Sequence, residues 1–140
     1  MANILVVDDE HGIRDLLWEI LNDEGHNVEL AENAAQARAC RMRERPELVL
    51  LDIWMPDTDG VTLLKEWSTT GALTMPVIMM SGNEQAMEQF FGTRIGADDF
   101  MKKPFSRHEV FFRIERLLDA NLVPQRATPR VIERAVPIPT

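Results

Sequence analysis

A set of polar side chains stands at the ends of short apolar runs, where they could act together on one group. They are Asp8, Asp9, Glu10, Asp52, Ser81 and Lys103. Carboxylates gathered in one crevice raise each other's pKa, and a hard cation such as Mg²⁺ removes that conflict because it prefers oxygen ligands. A lysine and a hydroxyl beside them could neutralise the oxygens of a phosphoryl group, with one carboxylate as the nucleophile. The residue types therefore indicate an aspartyl-phosphate site.

Five short apolar runs predict the strands that would carry these side chains. They are residues 3–7, 27–31, 47–53, 76–81 and 99–103. Several of the runs are apolar on both faces, which is typical of a parallel sheet covered by helices on each side. Ligands bind beyond the carboxyl ends of the strands in such folds. The predicted sheet would therefore bring the polar set together.

Amphipathic stretches between the runs predict helices over 12–24, 33–45, 60–67 and 84–95, and a last helix after Ser106. In the first of them Ile13, Leu16, Leu17, Ile20 and Leu21 recur with the spacing of one helix face. The last opens with a capping box from Ser106 to Glu109. Alternating strands and helices predict an α/β fold, a doubly wound parallel sheet with helices on both faces.

The charge and the apolar content of the chain exclude several functions. The net charge of −8 argues against nucleic-acid binding, since phosphate backbones attract basic surfaces. No apolar run approaches the ~20 residues of a membrane span, and the MANILVVDDE start lacks the basic region of a signal peptide. A single cysteine, Cys40, allows no internal disulfide. We expect a cytoplasmic protein with neither nucleic acid nor membrane as a partner.

The charge is spread unevenly, which divides the chain. Residues 1–121 carry a net charge of −10, whereas residues 122–140 carry +2 and four of the eight prolines. We expect one domain over 1–121 and a Pro- and Arg-containing linker or tail over 122–140.

Four segments in order carry a resemblance to a known family. ILVVDDE, LLDIWMPDTDG, MMSG and GADDFMKKPF together resemble the receiver domain of bacterial two-component response regulators, over about residues 2–120. Up to Gly82 the chain is similar to receivers of the NtrX type, and from Gly96 on to those of the OmpR/PhoB type. The resemblance implies a flavodoxin-like five-stranded sheet of order 2-1-3-4-5. It implies a domain that is phosphorylated to control an output and is not an enzyme with turnover.

The resemblance assigns a role to each acidic residue. Asp52 would accept the phosphoryl group from a histidine kinase or a phosphotransfer protein. Asp9, Asp52 and the backbone carbonyl of Trp54 would bind Mg²⁺ directly, with Asp8 acting through a water. Mn²⁺ would substitute for Mg²⁺.

The resemblance also assigns the groups that respond to phosphorylation. Ser81 and Lys103 would contact the phosphoryl oxygens, and the Lys103–Pro104 peptide bond would be cis. We prefer Lys103 to Lys102 because adjacent side chains of a strand point in opposite directions. Phe100 would be the rotating switch residue, turning inward into space that Ser81 vacates, although plain core packing is an alternative for Phe100.

A phosphorylation-dependent homodimer is a further implication of the OmpR/PhoB-like part. It would pair through the fourth helix, the fifth strand and the fifth helix. Asp98 and Asp99 would meet Arg113 of the second copy, and Arg94 would meet Glu115. The alternative is a solvated charged face, because exposed ion pairs contribute only ~0–1 kcal/mol each.

Three other functions compete with a receiver. A flavin mononucleotide binder shares the fold, but Asp8, Asp9 and Glu10 would repel its phosphate unless a metal intervened. A Mg²⁺-dependent phosphatase with an Asp nucleophile needs a second acid two residues later, where this chain has Trp54. A metal-free pseudo-receiver that serves only for docking remains an alternative.

Trp54 and Asn83 also predict how long a phosphoryl group would survive. An indole has one donor and no acceptor, so Trp54 cannot activate a water, and its bulk would exclude one. Asn83 is uncharged. We expect slow self-dephosphorylation, unless Trp54 folds away onto its loop or contacts the kinase.

Overall fold

Residues 2–83 and 97–119 of the 140-residue chain are described by the computed structural model. The strands are β1 (Asn3–Val7), β2 (Asn27–Ala31), β3 (Leu48–Asp52), β4 (Val77–Ser81) and β5 (Asp99–Lys102). The helices are α1 (His11–Asp23), α2 (Ala34–Arg43), α3 (Gly60–Thr70) and α4 (Arg107–Leu118). The predicted helix over 84–95, Arg94 and the tail 122–140 lie outside the described residues.

The five strands form one parallel sheet in the order β2-β1-β3-β4-β5. This confirms the predicted fold. Every residue of β3 and β4 is buried, because both strands lie inside the sheet and are covered on both faces. Consecutive strand residues point to opposite faces, so Leu51 joins one core cluster and Leu50 the other.

The helices cover the sheet in two pairs. α2 and α3 supply Ala37, Leu64 and Trp67 to the core on one face, and α1 and α4 supply Leu17 and Ile114 to the core on the other. None of the described helices is long and apolar enough to cross a membrane.

One residue of the predicted buried face of α1 is exposed to solvent. Leu17, Ile20 and Leu21 are buried, but Leu16 is 40% exposed. At about 100° per residue, Leu16 lies at the edge of the arc that the other residues share. The prediction that Leu16 packs inward was wrong.

Only one of the two hydrogen bonds of the predicted capping box at the start of α4 forms. Ser106 Oγ accepts a hydrogen bond from the backbone N–H of Glu109 at 3.0 Å, as predicted. The carboxylate of Glu109 instead accepts from Arg113 Nε at 3.0 Å, one turn further along the helix. α4 therefore begins at its predicted position.

Gly60, the first residue of α3, allows the chain to fold back tightly after β3. A Cβ atom there would collide with the backbone oxygen of Asp52 and would lie 3.0 Å from its carbonyl carbon. The Gly60 N–H donates to the carbonyl of Ile53 at 2.7 Å. The absence of a side chain at position 60 thus allows the start of α3 to lie directly against the backbone of Asp52.

Candidate functional site

Asp52 ends β3 and is buried at the carboxyl edge of the sheet, with 3% of its surface exposed. It lies in register with Met80 of β4. The next residue, Ile53, donates its N–H to the carbonyl of Met80 at 3.0 Å. Pairing with β4 and the contact with Gly60 therefore hold the Asp52 backbone on two sides.

Acidic residues from the loop after β1 lie near this carboxylate. Asp8 is buried, and its Oδ1 accepts a hydrogen bond from the Glu10 N–H at 2.9 Å. Carboxylate oxygens of Asp8, Asp9 and Glu10 lie within 4.8 Å of one another. The charges of Asp8 and Asp9 act on the carboxyl group of Asp52 and raise its pKa. Residues 44 positions apart in the chain thus meet at one edge of the sheet, as predicted.

Lys103 brings the positive charge to these carboxylates. Its Nζ lies 2.7 Å from Asp8 Oδ2, 3.1 Å from Glu10 Oε1 and 3.5 Å from Asp52 Oδ1. The peptide bond from Lys103 to Pro104 is cis, as predicted. The neighbouring Lys102 is exposed. Of the two lysines, the structure therefore brings Lys103 into the site.

Ser81 is buried at the end of β4 and is joined to the same edge through its backbone. Its carbonyl accepts from the Lys103 N–H at 2.8 Å, and its Oγ accepts from the Asn83 N–H at 3.0 Å. The hydroxyl is thus held at the carboxyl end of β4 next to the β5 segment that carries Lys103.

Burial raises the pKa of Asp52 to about 7, and the charges of Asp8 and Asp9 add to this effect while Lys103 opposes it. Burial also raises the pKa of Asp8 despite its contact with Lys103. Burial would lower the pKa of Lys103, but its bond to Asp8 and the charge of Asp52 outweigh this and raise it. One ammonium thus only partly offsets the acidic groups.

These residues fit a bound Mg²⁺. The side-chain donors are carboxylate oxygens, which Mg²⁺ prefers. Burial and then the charges of Asp8 and Asp9 raise the pKa of Asp52, and a cation would favour its ionised form. Asp9 and Asp52, the two carboxylates that are predicted to bind the metal directly, are close enough for the charge of Asp9 to raise the pKa of Asp52. The sequence predicts no role for Glu10, because its contact with Lys103 depends on a side-chain conformation that the sequence does not show.

Trp54 follows the site directly and projects its side chain outward, with 57% of the residue exposed. No acidic side chain stands at this position. That the backbone carbonyl of Trp54 binds Mg²⁺ stays a prediction.

Phe100 is already packed inside the protein. It is 1% exposed and belongs to the core cluster between the sheet and the α2 and α3 face. The side chain of Phe100 is therefore in the inward position in this structure, and its rotation on phosphorylation stays a prediction. Core packing, the alternative, is consistent with this position.

Asp99 and Arg113 meet within one chain, and their predicted pairing across a homodimer stays a prediction. Arg113 Nη1 lies 3.2 and 3.1 Å from the two carboxylate oxygens of Asp99 in the same chain, and both residues are buried. Asp98 Oδ2 accepts from the Val77 N–H at 2.8 Å. The ion pair therefore joins α4 to β5 within one molecule, while Glu115 is exposed.

Comparisons with known proteins show the family of this chain. Residues 4–115 match the family model described as the response regulator receiver domain. The response regulator MprA of Mycobacterium leprae is 35% identical over 115 residues, which cover 82% of this chain and 50% of MprA. The chain thus spans about half the length of the curated relatives it matches.

Solved structures give the same result. The receiver domain of NtrX from Brucella abortus is 41% identical, with a TM-score of 0.75 over 84% of this chain and 98% of that one. The chemotaxis protein CheY4 of Vibrio cholerae is 27% identical, with a TM-score of 0.74 over 84% of this chain and 98% of that one. The predicted resemblance is confirmed: the chain belongs to the response regulator receiver domain family.

Proposed function

We propose that Asp52 accepts a phosphoryl group from a histidine kinase or a phosphotransfer protein, in a reaction that needs Mg²⁺. The observation that carries this proposal is the position of the Asp52 carboxylate, which is buried between an acidic cluster and Lys103 Nζ at 3.5 Å. A buried carboxylate with so much negative charge around it fits a site that gains a cation and then a phosphoryl group.

The transfer is an in-line displacement at phosphorus. An oxygen of Asp52 forms the new P–O bond as the P–N bond to the donor histidine breaks, and the imidazole takes a proton after it leaves. Mg²⁺, when bound, neutralises charge that develops on the phosphoryl oxygens. Lys103 supplies a second positive charge to those oxygens, and the Ser81 hydroxyl supplies a hydrogen bond.

Phosphorylation then changes the charge around Lys103 and Ser81. The new group brings roughly two negative charges where one stood, and Lys103 leaves part of its contact with Asp8 and Glu10 to meet it. The Lys103 N–H is bonded to the Ser81 carbonyl, so movement at either residue passes to the ends of β4 and β5. We propose that the surface of the predicted helix 84–95, β5 and α4 changes with it and controls an output.

The wider setting follows from the same proposal. The protein works in the cytoplasm as a signalling domain of a two-component system rather than as an enzyme with turnover. The exposed Trp54 stands where a Mg²⁺-dependent phosphatase would need its second acid, which disfavours that alternative. All the carboxylates of the site are present, which disfavours a metal-free docking module.

The first prediction concerns the reaction itself. Incubation with acetyl phosphate and Mg²⁺ should add one phosphoryl group to the protein by intact mass, and EDTA should prevent the addition. Asp52→Asn should remain unmodified, because an amide is not a nucleophile, whereas Asp15→Asn on the exposed side of α1 should react like the wild type. Equal labelling of Asp52→Asn and the wild type would falsify the assignment.

The second prediction concerns stability in the absence of metal. Because folding raises the pKa of Asp52 from 3.8 to about 7, its buried charge destabilises the fold fully above pH 7, and this penalty shrinks as the pH falls toward 4. In EDTA, Asp52→Asn should raise the free energy of unfolding by on the order of 2 kcal/mol at pH 8 and by much less at pH 5.

Urea unfolding at the two pH values measures this difference. Glu19→Gln, an exposed change on α1, is the control and should have little effect at either pH. A gain for Asp52→Asn that is the same at pH 5 and pH 8 would mean that the buried charge is not its cause.

The third prediction concerns the lifetime of the phosphoryl group. With its side chain exposed beside the site, Trp54 is proposed to cover the phosphoryl group and exclude an in-line water. Trp54→Asn should then release phosphate roughly threefold faster or more, since such hydrolysis depends on placing that water. Release is timed after equal loading of Asp52, and Trp18→Asn, which removes another exposed tryptophan, is the control. Release at or below the wild-type rate would show that Trp54 does not cover the group.

A further inference from the structure

The first turn of α2 is bound by a residue from a distant loop. Asp57 Oδ1 accepts from the Ala34 N–H and Oδ2 from the Ala35 N–H, both at 3.0 Å. Asp57 lies in the loop after β3, five residues beyond Asp52. Free N–H groups at a helix start need acceptors, and the helix dipole favours a carboxylate there. The helix start therefore fixes the position of this loop.

The backbone N–H groups at the start of α2 donate to two residues, one next to the helix and one in the distant loop. Asn33, the residue before the helix, accepts from the Gln36 N–H at 2.8 Å. Asp57 accepts hydrogen bonds from the N–H groups of Ala34 and Ala35, to which Asn33 does not bond. The bond from the Ala34 N–H, with those from Thr58 and Ala35, lowers the pKa of Asp57, so the carboxylate is ionised at neutral pH.

A second contact between α2 and this loop involves Thr58, the residue after Asp57. Arg38 binds both carboxylate oxygens of Glu66 on α3, with nitrogen–oxygen distances of 2.8 and 3.0 Å, and its Nη2 lies 3.5 Å from Thr58 Oγ1. The loop and the helix that follows it are thus both tied to α2.

The chain just before α2 is tied to the acidic loop on the other side of the site. The Asp8 N–H donates to the carbonyl of Ala31 at 3.0 Å. Glu32 lies 3.7 Å from the Arg14 guanidinium, which donates to the Asp8 carbonyl at 2.7 Å. The junction of β2 and α2 therefore contacts both the loop that carries the acidic cluster and the loop that follows Asp52.

From these contacts we infer that Asp57 is a positioning residue for phosphoryl transfer: it fixes the Asp52 loop relative to the acidic loop by binding the start of α2. This inference rests on the proposed function. Asp57 itself touches neither Asp52 nor Lys103 in the described contacts. It acts through the backbone, and small displacements of reacting groups slow such transfers strongly.

The test compares two variants that each remove side-chain bonds from the start of the same helix. Asp57→Ala removes the tie to the loop, whereas Asn33→Ala removes only the local cap. Asp57→Asn is a third variant, which keeps one acceptor oxygen. Three quantities are measured: urea unfolding, amide hydrogen exchange of Ile53 and Gly60, and the initial rate of phosphorylation by acetyl phosphate at saturating Mg²⁺.

Asp57→Ala should slow phosphorylation about tenfold and speed exchange at Ile53 and Gly60, whose amides bond Met80 and Ile53 in the wild type. Asn33→Ala should keep the phosphorylation rate within about twofold of the wild type, even if its free energy of unfolding falls as much as that of Asp57→Ala. Asp57→Asn should lie between the wild type and Asp57→Ala.

Two results would overturn the inference: a rate for Asp57→Ala within about twofold of the wild type, or an equal loss in Asn33→Ala. Failure of the proposed function is distinguishable from both. In that case the wild type itself takes up no phosphoryl group, and the exchange rates at Ile53 and Gly60 still decide whether Asp57 holds the loop.

Discussion

The arrangement of the site depends on one constraint, which is the gathering of several carboxylates around a single ammonium. Lys103 lies within 3.5 Å of Asp8, Glu10 and Asp52, yet the pKa of Asp52 still rises to about 7. A stable core would not require a charge that burial disfavours so strongly. Under the proposed function, a divalent cation and a phosphoryl group would account for a carboxylate buried beside other carboxylates.

The rest of the fold can be understood as the support for that arrangement. Buried β3 and β4 end side by side and present Asp52 and Ser81 at one edge. Gly60 lets α3 begin against the Asp52 backbone, and the backbone bond from Lys103 to Ser81 joins β5 to β4. Hydrophobic burial on both faces stabilises the sheet, and the sheet in turn holds polar groups that would separate in a free chain.

Much of this could be predicted from the sequence because it follows from periodicity and strand ends. The apolar runs before Asp8, Asp52 and Ser81 determine which residues meet at the carboxyl edge. Contacts between long side chains could not be predicted, because they depend on rotamers and on the angle between elements. Burial of Arg113 beside Asp99 and the binding of the α2 start by Asp57 are of this kind, and Phe100 appeared as a switch only through family resemblance.

The central claim is that Asp52, rather than its acidic neighbours, carries the phosphoryl group, and site mapping tests it most directly. The protein is phosphorylated in Mg²⁺, the acyl phosphate is reduced with borohydride, and the peptides are sequenced by mass spectrometry. Reduction converts a phosphorylated aspartate to homoserine, so we predict homoserine at position 52 and unmodified aspartate at positions 8 and 9. Homoserine at Asp8 or Asp9, or at no position in a protein that has gained the phosphoryl mass, would contradict the account.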